Sequence, residues 1–465
     1  MKTNVAARTE SPKTHEGGAA GRQKPLEELT RAVSTCLLWE PAFYEAGSDQ
    51  AARIADLCAK VRPEELAALA VRARTDLKLR HVPLFLVRQM TRLHKGKLVG
   101  DTLTAVCQRP DEMTEFLALY WKDDPDQSLS AQVKRGLGLA FGKFNEYALA
   151  KWNRPTAVKL RDVLRLCRPK PKDAEQAALW KRVIAGELAT PDTWEVALST
   201  GADKKATWER LITEKKLGGM AMLMNLRNML GAEVDRVLIR QGLETANFGR
   251  VLPYRFISAA KAAPDLEEAI SVAMVRAIGQ GTTLPGRTLY VIDISGSMRG
   301  PLAAKSTLDR IDAACGLAIL LREVSEDVAI YATAGDDGRR RHATGKVPPR
   351  RGFALRDAIK TFNGKLGGGG IFLTQCMAYI AEHESEPFDR AIVLTDEQDC
   401  DLSREGASSK AKTLGAHNYI LNVAGYKPGL AIEGRWTRIS GWSERVVDWM
   451  MVEEGRAVQG DAQDE

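Results

Sequence analysis

The sequence of 465 residues predicts a multidomain fold: an all-α, HEAT-like helical-repeat half followed by an α/β doubly wound half. Three observations lead there. The length exceeds what one ordinary core serves, so two or three domains are expected. From Pro25 to about Ile278, apolar residues recur at helical spacing in successive blocks such as EELAALAVRA, LFLVRQMTRL, MTEFLALYW and AMLMNLRNML. Beyond that point, apolar β-type runs alternate with helical ones, the pattern of a parallel sheet covered on both faces.

Taken in order, residues 1–24 are polar and Gly-rich, too poor in apolar side chains to offset the entropy of ordering, and are expected to form a flexible tail. Residues 25–278 form the helical half. Short loops carrying Pro, Gly or Asp separate its blocks, which suits antiparallel helix pairs stacked as a solenoid, with a compact bundle as the alternative; no strict repeat period survives. The segment GQGTTLPGR at 279–287 is expected to be a linker, because Gly and Pro-Gly punctuate the change of period. Residues 288–455 form the α/β half, with strands expected at TLYVIDIS, EDVAIYAT, RAIVLTD and HNYILNVAGY, and residues 456–465 a second flexible tail.

Composition narrows the function classes. Hydrophobic content of 44% with 27% charged residues is ordinary for a globular chain, and a net charge of +7 favours an anionic partner over a cationic one. No apolar run reaches the ~18 residues a membrane helix needs, and no apolar stretch follows the initial Met, so a cytoplasmic protein without a membrane partner is expected. Seven cysteines, Cys36, Cys58, Cys107, Cys167, Cys315, Cys376 and Cys400, are scattered and never form a CxxC pair, which argues for reduced thiols and against a zinc knuckle.

Asp293, Ser295 and Ser297 in VIDISGSM follow an apolar strand, where an open α/β sheet places its ligand crevice. Asp396 ends a second such strand, RAIVLTD, and Thr374 opens a helix after the Gly-rich LGGGG. Carboxylates and hydroxyls form an all-oxygen donor set suited to a hard cation such as Mg²⁺. Thr374 reads either as a fifth donor or as a plain helix N-cap. Hydrolytic chemistry is not expected: Ser295 and Ser297 have no neighbouring base in the sequence, His383 and His417 fall in ordinary helix and strand contexts, and Glu397 and Asp399, which could serve as bases beside the metal, read more simply as an acidic loop after a strand.

A second signal lies in the helical half. Between Lys134 and Lys172, eleven Lys or Arg face only Glu146 and Asp162. Leu160, Val163, Leu164 and Cys167 follow the spacing of a buried stripe, while Arg161, Arg165 and Arg168 fall together on a neighbouring face. Asn153 is expected to cap this helix, with Pro155 in its first turn. The run reads as an anion-binding strip, with a solvated helix face as the alternative. Candidate nucleic-acid-contacting residues are Lys134, Arg135, Lys143, Lys151, Arg154, Arg161, Arg165 and Arg168, because guanidinium forks match phosphate; Tyr147 and Trp152 read either as rings that stack on unpaired bases or as core.

The set Asp293, Ser295, Ser297, Thr374 and Asp396 resembles the metal-ion-dependent adhesion site of the von Willebrand factor A, Rossmann-like domains. That resemblance implies direct coordination by the two Ser and the Thr, the Asp residues acting directly or through water, and an open position for an acidic group of a partner. One departure stands out: the family has its Thr directly after a Gly pair, whereas IFL intervenes here. In the helical half, LTRAVSTCLLWEPAFYEAG, KLRHVPLFLV, KWNRPTAVKLRDVLRLCRPKP, TWERLI, GGMAMLMNLRNML and VLPYRFISAAK together resemble the TROVE module of the Ro family. The resemblance implies a ring of HEAT-like repeats that binds small structured Y-type RNA on an outer basic surface and takes single-stranded ends of misfolded RNA into its hole. It also implies work in RNA quality control or processing, with an exoribonuclease such as polynucleotide phosphorylase as a further partner. Lys151 falls where the family has a basic RNA contact and Arg168 where it commonly has His. The expected function is RNA binding without catalysis. The alternatives are a scaffold whose metal site captures an acidic partner residue, and a metal-dependent phosphoesterase.

Overall fold

Capping side chains set the helical register of the first half. Ser130 Oγ accepts from Val133 N at 3.3 Å to open α7 (Ala131–Phe141), and Asn145 Oδ1 accepts from Ala148 N at 2.9 Å to open α8 (Glu146–Trp152). Asp173 accepts from Gln176 N at 2.7 Å to open α10 (Ala174–Ala185), which Gly186 closes in the left-handed conformation. Each cap satisfies an N–H that the helix itself cannot. The computed structural model describes residues 24–35, 47–77, 79–199, 201, 203–249, 251, 253–279, 283–302, 306–400, 411–424, 435–440 and 446–455. Apart from Lys24, the two expected tails lie outside the described residues, as does Cys36.

The chain divides into two units, one holding the helices from Pro25 to Arg250 and the other everything described from Val251 onward. In the first, helix follows helix, and Leu66, Leu86, Leu103, Phe116, Leu137, Phe141 and Val163 are fully buried in one continuous core. Burying each such side chain stabilises the fold by roughly 1.5–3 kcal/mol. Helices α5 (Lys97–Val106) and α7 cross at close range: a Cβ on Gly136 would lie 2.7 Å from Gly100 O, so the crossing depends on glycine at Gly136. No helix among the described residues is long and apolar enough to cross a membrane.

The second unit is built on a six-stranded sheet of order β3-β2-β1-β4-β5-β6. The strands are β1 (Leu284–Asp293), β2 (Ser325–Asp336), β3 (Arg341–Val347), β4 (Phe388–Thr395), β5 (Gly415–Asn422) and β6 (Thr437–Ser440). All pairings are parallel except β2 with β3. The sheet is therefore mixed where a wholly parallel one was expected. Strand β3 returns from β2 through a tight turn at Asp337–Arg340, a hairpin that the Asp-Gly within AGDDGRRR encodes locally. Strand β6, too short to show an apolar period, was not expected either. Helices α17 (Arg310–Val324), α18 (Gly352–Lys360), α19 (Leu373–His383) and α20 (Val446–Glu453) belong to the same unit.

Two boundaries differ from expectation. Helices α15 (Pro253–Ala262) and α16 (Glu267–Ile278) pack on α17 and α18: Lys261 and Lys360 both donate to the buried Asp312, and Arg356 Nη2 meets Glu267 Oε1 at 3.0 Å. Their helical period announced a buried face without saying which neighbour would bury it. The segment 279–287 is not all linker, because β1 starts at Leu284; residues 280–282 lie outside the described residues.

Candidate metal centre and candidate nucleic-acid interface

Asp293 is the last residue of β1, and Asp396 follows the last residue of β4. The two strands pair in parallel, with Ile292 opposite Leu394, so both acids reach the same sheet edge. Strand order places β2 on one side of β1 and β4 on the other, so the chain reverses direction across this edge, where open α/β sheets form their crevice.

The turn after β1 folds on its own carboxylate. Ser295 N–H donates to Asp293 Oδ1 at 2.8 Å, and Thr395 Oγ1 donates to Asp293 Oδ2 at 2.6 Å. Ser297 Oγ donates to Asp396 Oδ1 at 3.0 Å and stands 3.2 Å from Ser295 Oγ. Asp293, Ser295, Ser297 and Asp396 are thus brought together. The Gly-rich loop lies against them: Gly296 N–H donates to Gly369 O at 3.2 Å, and a Cβ on Gly296 would fall 2.5 Å from Gly368 O. Thr374 is the second residue of α19; its N-cap is Phe372, which removes the reading of Thr374 as a plain cap.

Burial governs the electrostatics of this edge. It pushes the Asp293 carboxyl up, against hydrogen bonds from Thr395 and Ser295. Burial first, and the neighbouring Asp293 second, push Asp396 up to about 7. Asp396 Oδ2 is buried and no hydrogen bond reaches it, a polar atom that a cation would satisfy. No group of three or more His, Cys, Asp or Glu poised for a metal occurs among the described residues, so a cation here would rest on two carboxylates, hydroxyls and water. That donor set fits a hard ion. Glu397 is fully buried at φ +63°, and Asn422 Nδ2 donates to its Oε1 at 3.0 Å, so it is engaged internally. Thr395 was missed by sequence reasoning, as was Arg310, whose Nη1 stands 3.6 Å from Asp396 Oδ2; only the strand pairing and the fold of the turn bring them in.

In the helical unit, α9 (Leu160–Cys167) buries Leu160, Val163 and Leu164 and half-buries Cys167. Arg161, Arg165 and Arg168 are exposed, and none of them pairs with a carboxylate among the described residues. Arg168 caps the helix in the left-handed region at φ 47°, ψ 52°. Asn153 does not open this helix: it ends α8, and Asp162 Oδ2 caps α9 by accepting from Lys159 N at 2.9 Å. Glu146, the other acid of the segment, holds Arg182 through two hydrogen bonds at 3.2 and 2.8 Å.

The remaining candidates divide. Lys134 and Arg154 are exposed, and Lys151 is half-buried. Arg135 instead pairs with Asp101 at 2.6 Å, and Lys143 Nζ donates to Thr104 O at 2.6 Å, so both are partly engaged within the unit. Trp152 is a collecting point that the sequence did not disclose. Arg109 stacks 3.5 Å from its ring centre, with Arg154 at 5.0 Å and Lys151 at 5.7 Å. Tyr147 is 51% exposed, with Lys151 over its ring at 5.8 Å.

The model of the TROVE domain family matches residues 175–301, from α10 through the turn at Ser297, leaving α7–α9 outside the matched span. The chain is 36% identical over 97 residues to telomerase protein component 1 of Mus musculus and 36% identical over 89 residues to that of Rattus norvegicus. It covers 19% and 17% of its own length in these matches, but only 4% and 3% of theirs. A crystal structure of the Deinococcus radiodurans Ro (Rsr) protein superposes with a TM-score of 0.58 at 18% identity, covering 93% of this chain and 100% of that one. The fold is that of a Ro protein, and the comparisons support the resemblance to Ro/TROVE proteins.

Proposed function

We propose, for a chain with a TROVE-domain match and the fold of a Ro protein, that it binds RNA and does not turn it over. The observation that carries this reading is the row Arg161, Arg165 and Arg168: exposed, set by a buried stripe, and left uncompensated because Glu146 and Asp162 are engaged elsewhere. Lys134, Lys151 and Arg154 extend the positive surface, and the exposed Tyr147 offers a ring for an unpaired base, whereas the Trp152 ring already holds Arg109. Small structured Y-type RNA and single-stranded ends of misfolded RNA are the proposed ligands, in a cytoplasmic role in RNA quality control or processing, with an exoribonuclease such as polynucleotide phosphorylase as a further partner. The six described cysteines are free thiols, which suits that compartment.

In the second unit, Asp293, Ser295, Ser297 and Asp396, with Thr374 at the head of α19, are proposed to hold a divalent cation, Mg²⁺ by donor chemistry, that supplies an open position for an acidic group. Its built geometry is what favours the alternative of a protein-interaction scaffold. The two readings separate on purification. An RNA-binding protein carries nucleic acid that ribonuclease removes and retards a small structured RNA on a gel. Protein that does neither would contradict the proposal.

A further inference from the structure

Arg310 opens α17, and its side chain is buried, 4% exposed. Its Nη1 donates to Ser297 O at 2.6 Å and stands 3.6 Å from Asp396 Oδ2, the carboxylate oxygen that no hydrogen bond reaches. The guanidinium fits because Gly300 leaves room: a Cβ there would lie 2.9 Å from Nη1 and 3.2 Å from Cζ. Gly300 itself has φ −64° and ψ 151°, a conformation any residue adopts, so glycine provides space here and not backbone freedom.

The geometry points to Arg310 as a built-in counter-ion of the metal centre, sharing Asp396 with the divalent cation and so setting how tightly that cation is held. The inference rests on the reading of Asp293, Ser295, Ser297 and Asp396 as the cation's donors. Once a cation displaces the proton that burial favours on Asp396, two carboxylates bring two negative charges and Arg310 brings one positive charge that it cannot release. The guanidinium thus cancels one of the two charges that attract the cation, and it repels the cation itself in a poorly solvated site that screens weakly. A guanidinium that served only as a strut for the Ser297 turn would act in the opposite direction, since its loss would disorder a donor.

Isothermal titration of the full chain with Mg²⁺ alone decides between these roles, using the parent, Arg310→Met, Gly300→Ala and Asp293→Ala. Gly300→Ala removes no donor and no charge but displaces the guanidinium, so it serves even where Arg310→Met does not fold. Arg310→Met and Gly300→Ala are expected to bind Mg²⁺ at least about tenfold more tightly than the parent, since each removes or displaces a fixed positive charge beside a donor carboxylate. Asp293→Ala is expected not to bind. A parent that binds while the folded variants bind no more tightly overturns the role of Arg310 and leaves the metal centre standing. Absence of Mg²⁺ uptake by parent and variants alike removes the metal centre, and the inference with it. Loss of folding in both variants makes Arg310 a strut and overturns the inference as well.

Discussion

Arg168 holds a backbone conformation that glycine adopts without steric cost. A left-handed cap at φ 47° costs an L-residue about 1 kcal/mol, and this one ends the helix that carries the row of guanidiniums. Such strain is tolerated where the side chain has a task. Arg168→Gly is therefore expected to raise the stability of the fold, by up to about 1 kcal/mol in a urea titration, while weakening RNA binding. A variant both more stable and undiminished in RNA affinity would remove Arg168 from the interface. Glu384, at the end of α19, gives a residue-scale prediction for pH. Burial would raise its carboxyl, but hydrogen bonds from Lys346, Tyr331 and Arg287 outweigh it and hold the group at about 2. A depressed acid contributes stability that is complete above the ordinary carboxylate value and is lost as pH falls toward 2. Glu384→Gln should cost about 1–2 kcal/mol at pH 7, allowing for solvent screening, and little at pH 2. Equal losses at both pH values would show that shape, and not charge, makes the contribution of Glu384.

At the scale of elements, helix faces were legible and their partners were not. The spacing of Leu160, Val163, Leu164 and Cys167 located the buried stripe of α9, because a period of 3.6 is a local property. The same kind of period in α15 and α16 indicated a buried face, yet their packing on α17 and α18 depends on contacts distant in sequence. The β2–β3 hairpin was legible in principle from its Asp-Gly turn, whereas β6 is too short to show a period. Glycine at the α5–α7 crossing belongs to the same class, since nothing local marks Gly136 as the point of closest approach. Gly136→Ala is expected to cost about 1–3 kcal/mol, because its Cβ would meet the backbone carbonyl of Gly100 at 2.7 Å and backbone cannot rotate away. A shift in the urea midpoint reads this directly; an unchanged midpoint would mean that the crossing is looser than described.

For the whole molecule, the proposed function gives the two units separable tasks. Asp293 and Asp396 were legible as a pair because each ends an apolar strand, and parallel strands deliver their carboxyl ends to one edge. Arg310 beside Asp396 and Arg109 on Trp152 were not, because each joins residues that only the tertiary fold brings together. If the metal centre stabilises only its own unit, Mg²⁺ at ten times its dissociation constant should add about 1.4 kcal/mol to the stability of that unit. Asp293→Ala should lose this gain while RNA binding changes little. Equal melting temperatures for the parent in Mg²⁺ and in chelator would count against a functional centre.

The central claim, that the α9 row reads phosphate, is tested most directly by titrating a small structured RNA across a range of salt concentrations with the parent and with Arg161, Arg165 and Arg168 all changed to Gln. Gln preserves helix propensity and removes three charges, and circular dichroism verifies that the fold is retained. Each lost phosphate contact should flatten the dependence of log affinity on log salt by roughly 0.7–0.9, with affinity falling alike for all RNAs tested. A folded triple variant that binds at about 0.15 M salt as tightly as the parent, with the same slope, would contradict the account, because the row would then be only a solvated helix face.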